Sequence, residues 1–377
     1  MIIGIPKENF PSENRVAVNP GSVKELIKTG LSVKVESGAG KGSYISDQNY
    51  IDSGADIIES QVDLLQNADI ILKVNHPLER EADMLKDNSI FVSLFQTTKE
   101  TKIVQKLVSK KITGFSMHLI PRTTLAQKMD ALSSQSNIAG YKAVLTGSTH
   151  LRVYMPLLMT AAGTIPPAKV LVLGAGVAGL QAIATAKRLG AQVEAFDVRP
   201  EVKEQVESLG AKFVQVISDS DEGVGEGGYA KETSDEYKKQ QTELIKNHIS
   251  KSDMVITTAL IPGRPAPILI SKDMVEKMKP GSVIMDLAAE NGGNCELTEK
   301  DRVVIVHNVT IDGTANIPST VAIHATQLYS KNITSFIRHM FKDGELNLDL
   351  EDEIISGAMF THNGMITHEP TKEALIL

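Results

Sequence analysis

Three glycines and one aspartate form the pattern in this sequence that most directly indicates a ligand. Gly174, Gly176 and Gly179 have the spacing G-x-G-x-x-G, and Asp197 follows 18 residues after the last of them. The first glycine permits a tight turn, the second lets a pyrophosphate approach the backbone, and the third permits close packing of helix and strand. A carboxylate at about this distance accepts hydrogen bonds from an adenosine ribose. The pattern therefore predicts a dinucleotide site.

Such a site needs a strand before the glycines and a helix after them. Val170 to Leu173 is a short apolar run of strand type, and apolar residues from Leu180 to Leu189 recur with helical spacing. Gln192 to Phe196 reads as the next strand. The turn from Ala175 to Val177 then lies at a helix N-terminus, where unpaired N–H groups and the positive end of the helix dipole attract phosphate. This context favours dinucleotide binding over a purely structural turn.

Two charged residues after the second strand bear on which dinucleotide is bound. Arg199 is placed where an arginine can bind the 2′-phosphate of NADP(H), whereas Asp197 repels a phosphate at that position. Because the carboxylate is the nearer group to the strand end, the sequence favours NAD(H) over NADP(H).

Composition limits the classes of protein that the sequence can encode. The chain has 377 residues, of which 42% are hydrophobic and 23% charged, as is typical of a globular protein with room for two domains. The formal net charge is −7, and no Lys/Arg cluster lies beside aromatic residues, so no nucleic-acid partner is expected. No apolar run approaches the roughly 18 residues of a membrane span. We expect a soluble chain without direct membrane insertion or a secretory signal.

Cysteine and histidine give no metal or disulfide pattern. The single cysteine, Cys295, excludes an intrachain disulfide framework and suits a reducing compartment. The nine histidines show neither H-E-x-x-H nor paired Cys/His spacing, so no zinc site is predicted. Since no base can be assigned to Cys295, a buried and inert thiol is favoured over a nucleophile.

Strands alternating with helices predict an α/β fold with two doubly wound, Rossmann-like parallel-sheet domains joined by long helices. Residues 1–132 and 321–377 are assigned to the first domain, to which the C-terminal segment returns. Residues 133–320 are assigned to the second domain, which binds the dinucleotide.

Several connecting segments carry their own predictions. The stretch from Leu125 to about Leu158 has few helix breakers and is expected to form one or two helices, and Val303 to Val306 is expected to extend the second sheet. The pair Asn363-Gly364 predicts a β-hairpin. Ile217 to Thr233 is acidic and glycine-rich around one tyrosine, and we expect a mobile lid over the dinucleotide in preference to a plain surface loop.

Six segments together resemble a known family: PRTTLAQKMDALSSQSNIAGYKAV, VLGAGVAGLQAIATAKRLGA, DVRPEVKEQVESLGAKF, GGYAKE, TTALIPGRPAP and DLAAENGGNCEL. They are similar to the NAD(H)-binding component, domain I, of Re/Si-specific, proton-translocating NAD(P) transhydrogenase. The resemblance extends over nearly the whole chain. Alanine dehydrogenase shares the same fold and is the alternative.

The resemblance implies a function and partners. In that family, domain I passes a hydride from NADH to NADP⁺ on a separate domain, and a membrane domain couples the transfer to proton translocation. Because the sequence ends at Leu377 with neither a membrane segment nor a second nucleotide fingerprint, it resembles the separate alpha-1 subunit of the split form. The implied partners are a membrane-embedded subunit, an NADP(H)-binding subunit and a second copy in a homodimer. The implied location is cytoplasmic, on the cytoplasmic face of the inner membrane through the partner subunits.

The resemblance also implies site residues. The nicotinamide and its ribose are assigned to Arg122, Thr123, Thr124, Leu125, Gln127, Asp130 and Ser133. Gln127, Arg122, Asp130 and Ser133 hold the ring for hydride transfer. The adenosine ribose is assigned to Asp197, Val198 and Arg199, and the pyrophosphate to Gly174, Ala175, Gly176, Val177 and Gly179. The mobile loop is assigned Gly228 and Tyr229, and the cleft lining Gln241 and Leu260. The structural alternative for the first set is a helix N-terminus capped by Thr123 or Thr124.

Two other functions remain as alternatives. Alanine dehydrogenase needs groups for a substrate carboxylate, and Arg15 and Lys73 are present at suitable positions. However, Phe95 stands where the resemblance places that family's catalytic histidine, and Glu290 stands where it places an aspartate. Without the histidine, acid–base chemistry on an amino acid lacks its carrier. We therefore interpret Arg15 and Lys73 as structural ion-pair residues. The other alternative is a catalytically silent NAD(H)-binding regulatory subunit.

Overall fold

The structure, a computed structural model, describes residues 1–216, 235–261, 264–342 and 344–376. The predicted lid, Ile217 to Thr233, lies outside the described residues. The chain divides into two units, which we call unit 1 (Met1–Gln135 with Pro318–Leu377) and unit 2 (Ser136–Ile317).

Unit 1 begins with strands and helices in alternation, as its apolar runs predict. The strands are β1 (Ile2–Ile5), β2 (Ser32–Glu36), β3 (Asp56–Ile58), β4 (Ile70–Leu72), β5 (Ile90–Ser93) and β6 (Thr113–Ser116). The helices are α1 (Pro20–Lys28), α2 (Asp47–Ile51), α3 (Gln61–Asn67), α4 (Glu79–Met84) and α5 (Thr101–Ser109). The longest helix, α6 (Ala131–His150), follows, and the division between the units falls within it.

Unit 2 repeats the alternation. Its strands are β7 (Leu158–Thr160), β8 (Gly163–Ile165), β9 (Lys169–Leu173), β10 (Gln192–Phe196), β11 (Lys212–Val214), β12 (Met254–Thr257), β13 (Val283–Asp286), β14 (Val303–Val306) and β15 (Val309–Asp312). Its further helices are α7 (Val177–Arg188), α8 (Lys203–Ser208), α9 (Asp235–Ile249) and α10 (Lys272–Glu276).

The chain then returns to unit 1. Its last elements are α11 (Ala322–His339), β16 (Phe341–Lys342), β17 (Glu345–Leu346), α12 (Glu353–Ala358), β18 (Met359–His362), β19 (Met365–Ile366) and α13 (Glu369–Ile376). The predicted hairpin is confirmed: β18 and β19 pair antiparallel, and Asn363 and Gly364 both have positive φ, as a type I′ turn requires.

Each unit is built on one large sheet whose core is parallel. In unit 1 the strand order is β19-β18-β6-β5-β4-β1-β2-β3, and in unit 2 it is β11-β10-β9-β12-β13-β15-β14. The strands of both sheet centres are buried on both faces, which explains why they read as continuous apolar runs. The predicted class, an α/β fold with two Rossmann-like domains, is confirmed.

The sheets are not purely parallel, and two details differ from prediction. Strand β14 is not the direct continuation of the sheet: β15 pairs parallel with β13, and β14 lies outside it, antiparallel. The turn between them uses His307 and Asn308, both with positive φ, a pair that lacks the usual Asn-Gly signal. In unit 1, β18 adds antiparallel to β6.

The stretch from Leu125 to Leu158 is only partly helical. It holds a short 3₁₀ turn, Gln127–Met129, and then α6, which ends at His150. Pro156 has no N–H and restricts the residue before it, so the helix cannot continue to Leu158. The chain instead forms β7 and β8, an isolated two-stranded hairpin. Over the described ranges of the chain, no helix has the length and apolar character needed to cross a bilayer.

Candidate functional site

The strand order of unit 2 locates a binding position. Strand β9 has β10 on one side and β12 on the other, so the order of connection reverses between β9 and β12. In open α/β sheets, ligands bind at the carboxyl ends of the strands at such a reversal. Gly174 follows β9 and Thr258 follows β12, and the Thr258 hydroxyl donates to the Gly174 carbonyl at 3.0 Å. The glycine turn therefore lies at the expected position.

The three glycines of the turn have different physical roles. Gly174 has φ +100°, which disfavours any side chain, and a Cβ on Gly179 would lie 1.9 Å from the Gly174 carbonyl oxygen. A Cβ on Gly176, by contrast, would meet nothing within 4 Å among the described residues. The outer glycines thus permit the fold, whereas the middle one leaves space beside the start of α7. The first N–H groups of that helix are the ones that bind phosphate in such turns.

Asp197 joins the end of β10 to the glycine turn. Its carboxylate accepts from the Ala175 amide at 2.7 Å and from the Arg199 amide at 2.9 Å. The Arg199 side chain also donates to it, from Nε and from Nη2, each at 2.9 Å. The next residue, Val198, packs partly buried against an apolar cluster. The structure therefore brings together the residues predicted for pyrophosphate and adenosine ribose.

A buried aspartate that the sequence analysis missed organises the neighbouring loop. Asp286, at the end of β13, is 1% exposed. One oxygen accepts from the Thr257 hydroxyl and the Ala288 amide, and the other from the Asn294 and Cys295 amides and the Thr298 hydroxyl, all at 2.6–3.0 Å. Five hydrogen bonds satisfy the buried carboxylate and fix the loop that follows the strand.

Asn294 carries this order back towards the glycine turn. It is fully buried, donates from Nδ2 to the Ala259 and Pro267 carbonyls at 2.9 and 2.8 Å, and accepts from the Ala259 amide at 3.0 Å. Ala259 follows Thr258, which bonds Gly174. The signal that could have revealed this network is a polar residue directly after each buried strand, together with two glycines, but the spacing alone did not identify partners.

The remaining residues predicted for this cleft are placed as follows. Leu260 follows Ala259 and is 46% exposed, and Gln241 lies on α9, partly buried. Gly228 and Tyr229 lie outside the described residues.

The residues predicted for the nicotinamide lie on an exposed segment of unit 1. Arg122, Thr124 and Gln127 are exposed, Thr123 is partly exposed, and Leu125 is 83% exposed. The segment is anchored by the buried side chains of Ala126 and Met129. Asn332 of α11 adds a further anchor, because it donates to the Lys128 carbonyl at 2.9 Å and accepts from the Ser134 hydroxyl at 2.6 Å.

Asp130 caps α6, in place of the predicted threonine. Its carboxylate accepts from the Ser133 amide at 2.8 Å and from the Ser133 hydroxyl at 2.5 Å. The cap prediction for Thr123 or Thr124 is wrong, because the 3₁₀ turn intervenes and the helix begins only at Ala131. The first helical amides therefore lie beyond the reach of both threonines.

The switch point of the unit 1 sheet, between β1 and β4, holds a buried charge cluster. Lys73 donates to Glu81 at 3.0 and 3.1 Å and lies 3.9 Å from Glu8. Arg15 pairs with Glu13 at 2.6 Å and donates to Gln135 at 2.9 Å. The interpretation of Arg15 and Lys73 as structural ion-pair residues is confirmed, since each has a carboxylate of this chain as its partner.

Burial and charge act in opposite directions on these carboxyl groups. Burial raises the pKa of Glu8, and the nearby Lys73 charge only partly offsets it. For Glu13, burial also raises the pKa, but hydrogen bonds and charge from Arg15 outweigh it and lower the pKa to about 2. The Arg15–Glu13 pair is therefore ionised in neutral solution.

Two further predictions concern reactive groups. Phe95 is 1% exposed and packs edge-on against Phe360, with ring centroids 4.9 Å apart, so its position is part of the core. Cys295 is buried, and burial raises its thiol pKa to about 11, which confirms an inert thiol. Within the described ranges, no group of three or more histidine, cysteine, aspartate or glutamate residues is arranged to hold a metal ion.

A reversing parallel sheet, a glycine turn at the reversal and an acid at the end of the next strand define a Rossmann-type dinucleotide-binding protein with a second domain of related fold. Comparison with known proteins specifies this further. The N-terminal domain of the alanine dehydrogenase/PNT family matches residues 4–139, and its C-terminal domain matches residues 143–369. The chain belongs to the alanine dehydrogenase/PNT family.

Relatives within the family include both predicted types. The chain is 48% identical over 376 residues to the first of the separately encoded parts of NAD(P) transhydrogenase subunit alpha of Rhodospirillum rubrum, with 98% of each chain covered. The crystal structure of transhydrogenase from Sinorhizobium meliloti superposes with a TM-score of 0.88 at 45% identity, covering 97% of this chain and all of that one. Alanine dehydrogenase of Staphylococcus haemolyticus is 31% identical over 382 residues, 99% of this chain and 96% of that protein. These findings confirm the resemblance to the transhydrogenase component.

Proposed function

We propose that this chain is the NAD(H)-binding subunit of a proton-translocating NAD(P) transhydrogenase. It passes a hydride between NADH on this chain and NADP⁺ on a partner subunit. The observation that carries the proposal is the glycine turn at the sheet reversal, with the Asp197 carboxylate hydrogen-bonded to Ala175. The identity of 48% to a transhydrogenase alpha subunit supports the assignment over its full length.

Each part of the cofactor has a proposed set of contacts. The pyrophosphate contacts the open side of the turn from Gly174 to Gly179, where Gly176 leaves space. The adenosine ribose contacts Asp197, with Val198 and Arg199 beside it. The nicotinamide and its ribose contact the exposed segment from Arg122 to Gln127, with Asp130 and Ser133. Gln241, Leu260, Gly228 and Tyr229 complete the cleft.

This set of groups suits hydride transfer. The nicotinamide carries the redox chemistry, and the protein has only to orient the ring and exclude competing reactions, so no protein acid or base is required. An exposed arginine, amide and carboxylate are sufficient for that role, and exposure leaves the ring accessible to an acceptor on another chain. The stereochemistry is proposed to be that of the Re/Si-specific enzymes.

The partners are proposed on the same basis. The relatives carry the name of one portion of an alpha subunit, which supports a complex with an NADP(H)-binding subunit and a membrane-embedded subunit that couples transfer to proton movement. The chain would then lie on the cytoplasmic face of the membrane. A homodimer is supported by the region of the β7–β8 hairpin, which exposes Leu157, Met159 and Ile165 by 53%, 72% and 43%. Exposed apolar surface of this kind marks protein contacts.

Alanine dehydrogenase is the second candidate, favoured by the 31% identity to that enzyme. Two observations oppose it. Arg15 and Lys73, the cations available for a substrate carboxylate, are engaged with Glu13 and Glu81. Phe95 offers no proton-transfer group where the resemblance places a histidine. A silent NAD(H)-binding regulator lacks a specific observation in its favour.

One experiment separates the three functions. The purified chain is titrated with NADH and NADPH, then mixed with purified NADP(H)-binding and membrane subunits of a related transhydrogenase, and hydride transfer is followed optically. We expect tight NADH binding, weak NADPH binding and transfer only in the mixture. Alanine-dependent NAD⁺ reduction on the order of 10 per second by the chain alone would support the dehydrogenase instead. NADH binding without any transfer would support the regulator.

A further inference from the structure

The carboxylate proposed to bind the adenosine ribose is already saturated with hydrogen bonds. A carboxylate offers about four acceptor positions. On Asp197, Oδ1 accepts from the amide and Nε of Arg199, each at 2.9 Å. Oδ2 accepts from the Ala175 amide at 2.7 Å and from Nη2 of Arg199 at 2.9 Å. A ribose hydroxyl can therefore donate to Asp197 only if one of these donors leaves.

The four donors differ in how easily they can move. The two amides belong to backbone that is fixed by the sheet and the glycine turn: the Gly174 amide donates to the Phe196 carbonyl at 2.8 Å, and Pro200 begins a 3₁₀ turn directly after Arg199. The guanidinium stands at the end of a flexible side chain that is 16% exposed, so it has a route to solvent. Displacing the guanidinium frees one acceptor position on each oxygen without disturbing the turn.

We propose that the Arg199 guanidinium competes with the adenosine ribose for Asp197, so that it must swing away for NAD(H) to bind. The inference rests on the proposed NAD(H) binding and adds a residue that lowers affinity in exchange for a controlled site. Binding is weakened by the fraction of molecules in which Arg199 still occupies the carboxylate. In the free protein the pair also neutralises the charge of an aspartate that is only 8% exposed.

The same movement sets the preference for the cofactor. Once displaced, the guanidinium lies beside the ribose edge, where it is suited to bind a phosphate bidentately. While Asp197 is present, its charge opposes a 2′-phosphate, so Arg199 cannot exploit this position. Removal of the carboxylate charge would turn Arg199 from a competitor into a phosphate ligand.

The test uses ADP-ribose, which has the pyrophosphate and adenosine ribose but no nicotinamide, and calorimetry on the full chain. Arg199→Met removes the guanidinium, and Arg199→Lys keeps the charge but not the bidentate geometry. Arg188→Met, in the last turn of α7, is the matched control for a lost arginine. Titration at about 0.5 M salt suppresses general charge effects.

We expect about fivefold tighter ADP-ribose binding for Arg199→Met, a smaller gain for Arg199→Lys and no change for Arg188→Met. Unchanged or weaker binding in both Arg199 variants overturns the competition. Failure of the unmodified chain to bind either ADP-ribose or NADH would instead overturn the proposed function. Thermal unfolding of each variant confirms that the fold is retained.

A second arm tests the phosphate role with 2′-phospho-ADP-ribose. Asp197→Asn preserves the shape of the side chain while removing its charge. We expect the preference between ADP-ribose and its 2′-phosphate to move at least about tenfold towards the phosphate. Adding Arg199→Met to Asp197→Asn should abolish that gain. A gain that persists in the double variant would show that another group receives the phosphate and would overturn this component of the inference.

Discussion

The Asp130 carboxylate binds both polar groups of Ser133, its amide at 2.8 Å and its hydroxyl at 2.5 Å. The two residues proposed to contact the nicotinamide ribose are therefore also the N-terminal cap of α6. A cap satisfies helix amides that have no partner within the helix. Structural and cofactor roles coincide in one carboxylate, and a simple alanine substitution would confuse them.

Two substitutions of Asp130 separate the roles. Asparagine caps helices as well as aspartate, so Asp130→Asn should leave the free energy of unfolding within about 0.5 kcal/mol, whereas Asp130→Ala should lower it by about 1 kcal/mol. Both variants should slow hydride transfer about tenfold or more if the charge orients the ribose. Urea unfolding and the reconstituted transfer assay measure the two effects. Full transfer by Asp130→Asn would restrict Asp130 to the cap.

How much the sequence predicted depends on how far apart the interacting residues lie. The strand, glycine turn, helix and Asp197 follow one another within a single βαβ unit, so local spacing was sufficient to place them. The bond from Asn294 to Ala259 spans 35 positions between two loops, and no local pattern specifies it. The same holds for the guanidinium of Arg199, whose partner depends on a side-chain rotamer. The end of α6 was missed because the single breaker, Pro156, was weighed too little against an apolar stretch.

Gly176 and Gly179 should respond in opposite ways to alanine. A methyl group on Gly176 enters open space beside the helix start, so stability should be retained while NADH affinity falls about tenfold or more, because the pyrophosphate needs that space. A methyl group on Gly179 would lie 1.9 Å from the Gly174 carbonyl oxygen and should destabilise unit 2 by about 1–3 kcal/mol. Calorimetry and thermal unfolding distinguish the outcomes. Equal affinities for Gly176→Ala and the unmodified chain would contradict the placement of the pyrophosphate.

Asn294 should affect the cofactor site without touching the cofactor. Asn294→Ala leaves the Ala259 amide and two carbonyls without their side-chain partner, at a cost of about 2–4 kcal/mol in stability. Because Ala259 adjoins the contact between Thr258 and Gly174, NADH affinity should also fall.

Thr298→Val is the control for Asn294→Ala. It removes one of the five hydrogen bonds to Asp286 and leaves Ala259 in place. NADH titrations well below the unfolding temperature should show a clear loss for Asn294→Ala and little for Thr298→Val. Similar losses in both would mean that general loosening of the loop, and not the position of Ala259, governs affinity.

Glu13 should make the stability of unit 1 depend on acid. Its pKa falls from 4.5 to about 2 on folding, so its contribution is fully present above about pH 4.5 and is lost as the pH falls towards 2. The shift corresponds to about 3 kcal/mol at neutral pH. Urea unfolding should show Glu13→Gln less stable than the unmodified chain by about that amount at pH 6 and by about half of it at pH 3. A difference that does not shrink with acid would mean that Glu13 acts through packing alone.

Gln127 offers the most direct test of hydride transfer. Its side chain is exposed at the start of the 3₁₀ turn, between the buried anchors Ala126 and Met129, so Gln127→Asn should leave stability within about 0.5 kcal/mol. The proposed role is to align the nicotinamide with the acceptor ring of a partner subunit. Hydride transfer is sensitive to small displacements, and loss of a positioning contact costs about 100-fold in rate. NADH affinity, which is proposed to rest mainly on the glycine turn and Asp197, should change little.

The measurement for Gln127→Asn combines NADH titration of the chain alone with single-turnover transfer after reconstitution. The exposed neighbour Thr124, changed to serine, serves as a conservative control on the same segment. We expect a rate about 100-fold lower for Gln127→Asn, a nearly unchanged rate for Thr124→Ser and comparable NADH affinities in both. If transfer by Gln127→Asn stays near the unmodified rate, Gln127 does not align the rings. If NADH affinity falls in parallel with the rate, Gln127 holds the cofactor and has no separate role in alignment.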